Sequence, residues 1–449
     1  MNEKESWGSA AGFLLSSIGY AVGLGAIWRF PYMIGTSGGG IFLLLCALLS
    51  VVIAVPLLLC ELTLGRSTGK TAVVGMRQLA GPGSPWVMFG WLGVTAAFIM
   101  ISYYVTIVGD VLFYVYKGLA SDITAYSQGE LIGIYGQLQN SAASKLFWTV
   151  LSLVLSAAIL WRGVQKGIEA ASKVLLPMLF VFLFAMAVRG CSMPGAGVGV
   201  KWLLTADFSR LTGGTFMSAL SQVFFLAGVA LSTAFAFGSY LDREKSDIPF
   251  STVVIVLSNF VVAILAGLAI FPALFSYGMD PDAGAGLVFM TMPVVFGDMA
   301  GGRWWMALFF FLVLIAGMTS ILGLFEGVNS TLAEAFGLPK KKMLLILTPL
   351  LALCSLPAIL AGTALKNVSI LGMDCFTFMD FVAVGLLVPV GALVLDIYSA
   401  YKYPFSRLAE EGSKGAKYFR IPLWLSPWLK FGVPAVTIAV LIAGVMSYL

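Results

Sequence analysis

With 449 residues, 60% of them hydrophobic and only 10% charged, and a mean hydropathy of +0.98, the chain is too apolar for a soluble globular domain and reads as a polytopic membrane protein. The net charge of +5 is scattered over loops, which argues against a nucleic-acid-binding patch. There is no histidine, so the commonest metal ligand and the side chain best suited to shuttling protons near neutrality are missing, and any proton coupling must use carboxylates.

In chain order, residues 2–7 are short and polar, and no cleavable signal is apparent. Eleven stretches are long and apolar enough to be membrane spans: 12–34, 41–64, 86–116, 146–161, 174–188, 215–240, 252–277, 304–332, 343–360, 376–398 and 423–446. The first contains Gly19, Gly23, Gly25, Arg29 and Pro31. Glycine weakens a helix, proline removes a donor, and an arginine has no place on a lipid face. A broken span is expected there, with freed carbonyls and helix ends around a bound ion or solute. The sixth has Gly228 near its middle. Paired interruptions five spans apart point to an inverted repeat of five plus five helices with its site at the midplane. The repeats fall at about 8–190 and 211–402, with an additional helix at about 423–447.

The apolar but interrupted outer loop 281–303 is expected to form a re-entrant or lid-like hairpin. In the eighth span, Ala316, Thr319 and Ser320 share one helix face. The Ala316 carbonyl and two hydroxyls, with carbonyls freed at Gly19 and Val22, would supply five neutral oxygens for a monovalent cation. The alternative is that both hydroxyls bond back to their own helix. Glu61, Asp110 and Glu326 are acids within spans and candidates for carrying a proton. Cys46, Cys60, Cys191, Cys354 and Cys375 lie in or beside apolar segments without a CxxC and read as packing residues. A cytoplasmic N-terminus places Arg66, Lys70, Arg162, Lys166, Arg243, Lys340, Lys341 and Lys342 inside, as the positive-inside rule prefers.

The stretch AVGLGAIWRFPY, followed by Gly38, Gly39 and Gly40, closely resembles the first-helix signature of the neurotransmitter:sodium symporter family, and the resemblance extends over nearly the whole chain. It implies an all-α integral membrane protein with the LeuT fold, broken first and sixth helices and eleven transmembrane helices, in the cell inner (plasma) membrane. It implies a sodium-coupled symporter importing an amino acid by alternating access, not an enzyme. The partners are then a small-molecule substrate and the bilayer, with no nucleic acid and no obligate protein partner evident.

By residue-wise matching, AGMTS at 316–320 corresponds to the family's second sodium site, formed here by Gly19, Val22, Ala316, Thr319 and Ser320. The first sodium site of the family matches Ala26, Leu226 and, counting back from Pro272, Ser258, with neighbouring Asn259 as the alternative. Two of these side chains cannot ligate, so only one Na+ site is expected. Val262 stands at the family's chloride-linked position, and no chloride dependence is expected. The implied substrate pocket is Tyr20, Ala21, Leu24, Gly25, Met100, Tyr104, Phe225, Leu226, Gly228, Leu231, Ser320, Ile321 and Leu324, with Tyr104 holding a substrate carboxylate. Gly23 stands where monoamine carriers have an aspartate, which favours a zwitterion. Apolar walls suit a hydrophobic side chain. Gly228 and Leu231 leave room for an aromatic one, unless Met100 and Tyr20 reclaim it. The outer gate matches Arg29 and Asp380 above Phe225, and the inner gate matches Lys4, Trp7, Tyr240 and Glu334. Two alternatives stand beside this reading: a carrier of an amine or other non-carboxylate solute, with possible proton coupling, and a solute sensor that does not transport.

Overall fold

The computed structural model describes residues 5–121, 126–279, 287–297 and 299–448. Among them there is no β-strand, and the chain is a bundle of long helices. The long helices are α1 (Ala10–Thr36), α2 (Gly40–Thr68), α3 (Pro85–Ala120), α4 (Ala142–Leu160) and α5 (Val164–Cys191). The sixth, α6, comes in two pieces, Gly213–Ala227 and Thr233–Ser239. Then follow α7 (Ile248–Ser276), α8 (Gly302–Ala335), α9 (Lys340–Leu360), α10 (Cys375–Lys402) and α11 (Leu425–Ile442). Ten described helices are long and apolar enough to cross a membrane. The sixth falls short of that length because its interruption divides it, which reconciles the ten with the eleven expected spans.

Helix α8 forms the axis, packed along α3, α1 and α5. The most apolar stretch of α8 is 83% buried, against 33% for α4 and α5 and 28% for α11, so the latter three form the lipid-facing rim. Local sequence sets the ends. Ser9 caps α1 through the Gly12 N–H, and Glu169 of α5 accepts from the Gly8 N–H and the Ser9 hydroxyl while pairing with Lys173 at 2.7 Å. Gly69 (φ 61°) ends α2 in the left-handed conformation that stops a helix. The described part of the outer loop is the helical stretch Leu287–Thr291 and Met292–Gly297. Its Phe289 stacks on Tyr135, with ring centroids 5.4 Å apart, and its carbonyl accepts from the Tyr114 hydroxyl. Residues 280–286 and 298 of the expected hairpin lie outside the described residues.

Candidate functional site

The first helix breaks at Gly23 (φ 34°, ψ −167°), and the chain continues as a wide π turn over Gly25–Arg29. Only glycine fits there: a Cβ would lie 2.1 Å from Ser320 Oγ and 3.0 Å from the Tyr104 hydroxyl. The amide freed at Leu24 donates to the Tyr104 hydroxyl at 2.8 Å. Tyr104 thus accepts from α1 beside the Ser320 hydroxyl. Two residues on, a Cβ at Gly25 would stand 2.5 Å from the Phe225 ring. Four helices, α1, α3, α6 and α8, thus converge at the break.

The second break, in α6, places Gly228, Ala230 and Ser232 at φ 59°, 59° and 61°. For alanine and serine this conformation costs about 1–3 kcal/mol each and persists only when neighbours enforce it. Glu61 of α2, wholly buried, does so by accepting from the Ala230 N–H at 2.8 Å and the Phe235 N–H at 3.3 Å. The Tyr20 hydroxyl donates to the Gly228 carbonyl at 2.5 Å, the Ser232 hydroxyl to the Gly90 carbonyl at 3.2 Å, and Asn259 of α7 to the Leu226 carbonyl at 3.3 Å. An acid within a span can carry a proton or simply cap a neighbouring helix, and the contacts of Glu61 are those of a cap on the broken helix.

Of the expected pocket residues, Tyr20, Ala21, Leu24, Met100, Tyr104 and Leu226 are buried, as are Gly25, Gly228, Leu231, Ser320, Ile321 and Leu324, while Phe225 is half-buried. The room expected at Gly228 is taken: a Cβ there, or at Gly323, would stand 2.8 or 2.7 Å from Tyr20. Tyr20 has reclaimed that volume.

The expected cation oxygens gather where α1 meets α8. A Cβ at Gly19 would lie 3.0 Å from Thr319 Cβ, and the Ser320 hydroxyl reaches across to the Tyr20 carbonyl at 2.8 Å and the Gly19 carbonyl at 3.4 Å. Thr319 bonds back to the carbonyls of Ile315 and Ala316, both at 3.0 Å. The Val22 carbonyl accepts from the Gly25 N–H across the break. The donor set is all neutral oxygen, which fits a hard monovalent cation and not a transition metal. At the other matched site, Ala26 and Leu226 are buried and apolar. Of the two positions expected in α7, Ser258 is half-buried, whereas Asn259 is buried, donates to the Leu226 carbonyl and leaves Oδ1 without a hydrogen bond among the described residues. Val262 is buried, and Gln222 donates to the Gly25 carbonyl at 3.4 Å.

Of the residues expected at the outer gate, the Arg29 guanidinium lies 4.4 Å above the Phe225 ring, a cation–π contact, and Asp380 accepts from the Tyr103 hydroxyl at 2.7 Å. Of those expected at the inner gate, Trp7 donates its indole N–H to the Phe237 carbonyl at 3.0 Å, with its ring edge-on to Phe237 and Tyr240. Lys4 lies outside the described residues. Glu334 is drawn elsewhere: it accepts from the Thr71 N–H and hydroxyl at 2.7 and 2.6 Å and pairs with Lys70 at 3.0 Å. The partners of Tyr240 are instead Glu326, which accepts its proton at 2.8 Å, and Lys340 at 2.9 Å. Lys340 binds Glu326 at 2.6 Å and lies 3.8 Å from Glu5. Sequence matching missed Lys340 and Glu5, which only the fold brings to Tyr240. Asp110, the third intramembrane acid, bonds Gln139 at 2.9 Å and sits 3.8 Å from Lys145.

A helical membrane bundle with two broken helices meeting at a buried polar centre is the LeuT-type architecture of secondary transporters. The profile of the Sodium:neurotransmitter symporter family matches residues 4–133 and 121–449. The uncharacterized sodium-dependent transporter YhdH of Bacillus subtilis is 34% identical over 447 residues, covering 98% of both chains. An uncharacterized sodium-dependent transporter of Haemophilus influenzae is 32% identical, again over 98% of both. The crystal structure of MhsT in complex with L-phenylalanine superposes with a TM-score of 0.90 at 31% identity, covering 98% of this chain and 99% of that one. The chain belongs to the Sodium:neurotransmitter symporter family, a family of transporters and not of enzymes.

Proposed function

We propose that this protein couples sodium entry to the uptake of a hydrophobic or aromatic amino acid across the plasma membrane, with its N-terminus cytoplasmic and a single sodium site. One observation carries the reading: Thr319 and Ser320 meet the broken α1 among neutral oxygens, while Ala26 and Leu226 put apolar side chains where a second cation would need oxygen. Sodium, as co-transported substrate, would be held by the carbonyls of Gly19, Val22 and Ala316 with the hydroxyls of Thr319 and Ser320. The amino-acid carboxylate would accept from the Tyr104 hydroxyl, whose oxygen takes the Leu24 N–H, and from amides at the N-terminal end of the outer half of α1, where the helix dipole favours an anion. The complex of MhsT with L-phenylalanine supports an amino-acid substrate. No carboxylate stands at Gly23 to receive an amine, and Ile321, Leu324 and Met100 supply apolar wall.

Arg29, Phe225 and Asp380 form the outer gate in this reading, and Trp7 and Tyr240, with Lys4, the inner one. Alternating access follows from α1 and α6 moving against the scaffold, because solute and ion make different contacts in the two states. The test is amino-acid uptake into proteoliposomes at varied external sodium, with a pH gradient as second variable. A sodium Hill coefficient near one is expected. A coefficient approaching two overturns the single site, and proton-driven uptake without sodium overturns the Thr319–Ser320 assignment.

A further inference from the structure

Away from the transport path, the lipid side of α4, α5 and α8 carries a groove of about 520 Å³. Leu155 and Ile159 of α4, Leu175 of α5, and Phe311, Leu314 and Met318 of α8 form its walls. Ala170 and Ala171 of α5 line it without the bulk to fill it. At 1.5 Å per residue, the eight helical steps from Gly167 to Leu175 give a depth of roughly 12 Å, which lies within the hydrocarbon of one leaflet, about half of a 30 Å core.

The mouth of this apolar groove is basic. Arg162 and Lys166, both exposed, border it at the α4–α5 turn. Neither makes an ion pair among the described residues. The same two side chains line an adjoining cavity of about 570 Å³ with Lys340 and Lys341. The acids of that cavity, Glu5 and Glu326, are both engaged by Lys340. Lys341 lies 5.2 Å over the Trp161 ring, an aromatic at the interface, and adds a third cation without an ion pair among the described residues.

We propose that this groove binds one anionic phospholipid, with an acyl chain between α4, α5 and α8 and the headgroup phosphate between Arg162 and Lys166. Charge complementarity selects the headgroup: basic pockets between transmembrane helices hold anionic lipids, and a guanidinium fork suits phosphate. A zwitterionic lipid would bring its ammonium group to these three cations. The groove also touches Ile315 and Met318, each one residue from a proposed sodium ligand, Ala316 and Thr319. A bound chain would brace α8 from behind.

The test uses the purified full-length chain in neutral detergent, titrated with dioleoylphosphatidylglycerol or dioleoylphosphatidylcholine. Native mass spectrometry counts the retained lipid and thermal melting reads its effect. The expected result is retention of one phosphatidylglycerol with a raised melting temperature, and no such retention of phosphatidylcholine. Arg162→Gln with Lys166→Gln should weaken retention about tenfold or more. Ala171→Phe should fill the groove and abolish retention with every charge in place. Equal retention of the two lipids, or unchanged retention in the charge variant, would mean annular lipid only and overturn the proposal. Retention surviving Ala171→Phe would place the lipid on the basic rim alone and overturn the groove.

Discussion

Replacing Lys340 by methionine keeps most of its length and removes its charge, which isolates the inner latch. Glu326 is 2% exposed, and its Oε1 receives Lys340 at 2.6 Å and the Tyr240 hydroxyl at 2.8 Å. Without Lys340 the carboxylate keeps one neutral donor and loses its nearby cation. Stranding one member of a buried pair costs about 3–5 kcal/mol. Lys340 is 29% exposed along its side chain, so solvent reduces that figure, and about 2 kcal/mol is the working value. If the latch is closed only while the inner side is shut, Lys340→Met favours inner opening by about thirtyfold. The protein would then need more sodium to return to the sodium-bound, inside-closed form. The assay is radioligand binding of the transported amino acid against sodium in detergent. Lys340→Met should raise the half-saturating sodium concentration by about tenfold or more, and adding Glu326→Gln should recover part of the loss because no bare charge remains. Wild-type sodium dependence in the single variant, or strictly additive effects in the pair, would refute the latch.

Gly23→Ala should abolish amino-acid binding, since its Cβ would lie 2.1 Å from Ser320 Oγ at a φ that alanine resists; saturable binding at wild-type affinity would contradict this. Glu61→Gln keeps one acceptor for the two amides of Ala230 and Phe235, leaving one unmet at about 1–3 kcal/mol. A lower melting temperature is expected, and an unchanged one would show that Glu61 is not the cap. Ala26→Asn combined with Leu226→Thr adds two side-chain oxygens beside Asn259, whose Oδ1 lacks a hydrogen bond. The sodium Hill coefficient of uptake should rise from near one toward two, and a coefficient unchanged in a variant that still transports would show that oxygen supply is not what the site lacks.

The sequence makes the helix breaks legible because they need unusual residues: glycine where φ turns positive at Gly23 and Gly228, and an arginine, half-buried, in the same span as the first break. The shared helix face of Ala316, Thr319 and Ser320 was equally readable, since their spacing is local and a helix fixes it. What could not be read depends on tertiary approach. Ala230 and Ser232 take left-handed conformations that neither residue advertises, and they hold them through Glu61 of a helix far away in sequence. Glu334 matched an inner gate by position, yet α8 turns it toward Lys70 and Thr71. In α7 the sequence left two neighbours open, and only the fold shows that Asn259 is buried against the Leu226 carbonyl while Ser258 is half-buried.

The cation oxygens and the inner latch share one helix. Ser320 and Glu326 are six residues apart on α8, roughly 9 Å along its axis. Ser320 ties α8 to the carbonyls of α1, and Glu326, through Tyr240 and Lys340, ties the same helix to α6 and α9. In the proposed transport cycle both contacts would oppose the same movement, the departure of α1 and α6 from α8 on the inner side. A cation that strengthens the first then favours the state in which the second is closed, with no signal needed along α8 beyond its rigidity. Linkage makes the effect reciprocal: the factor by which sodium raises latch closure equals the factor by which a closed latch raises sodium affinity. For that reason a substitution at Lys340, which touches none of the proposed ligands, should be read out in the sodium titration.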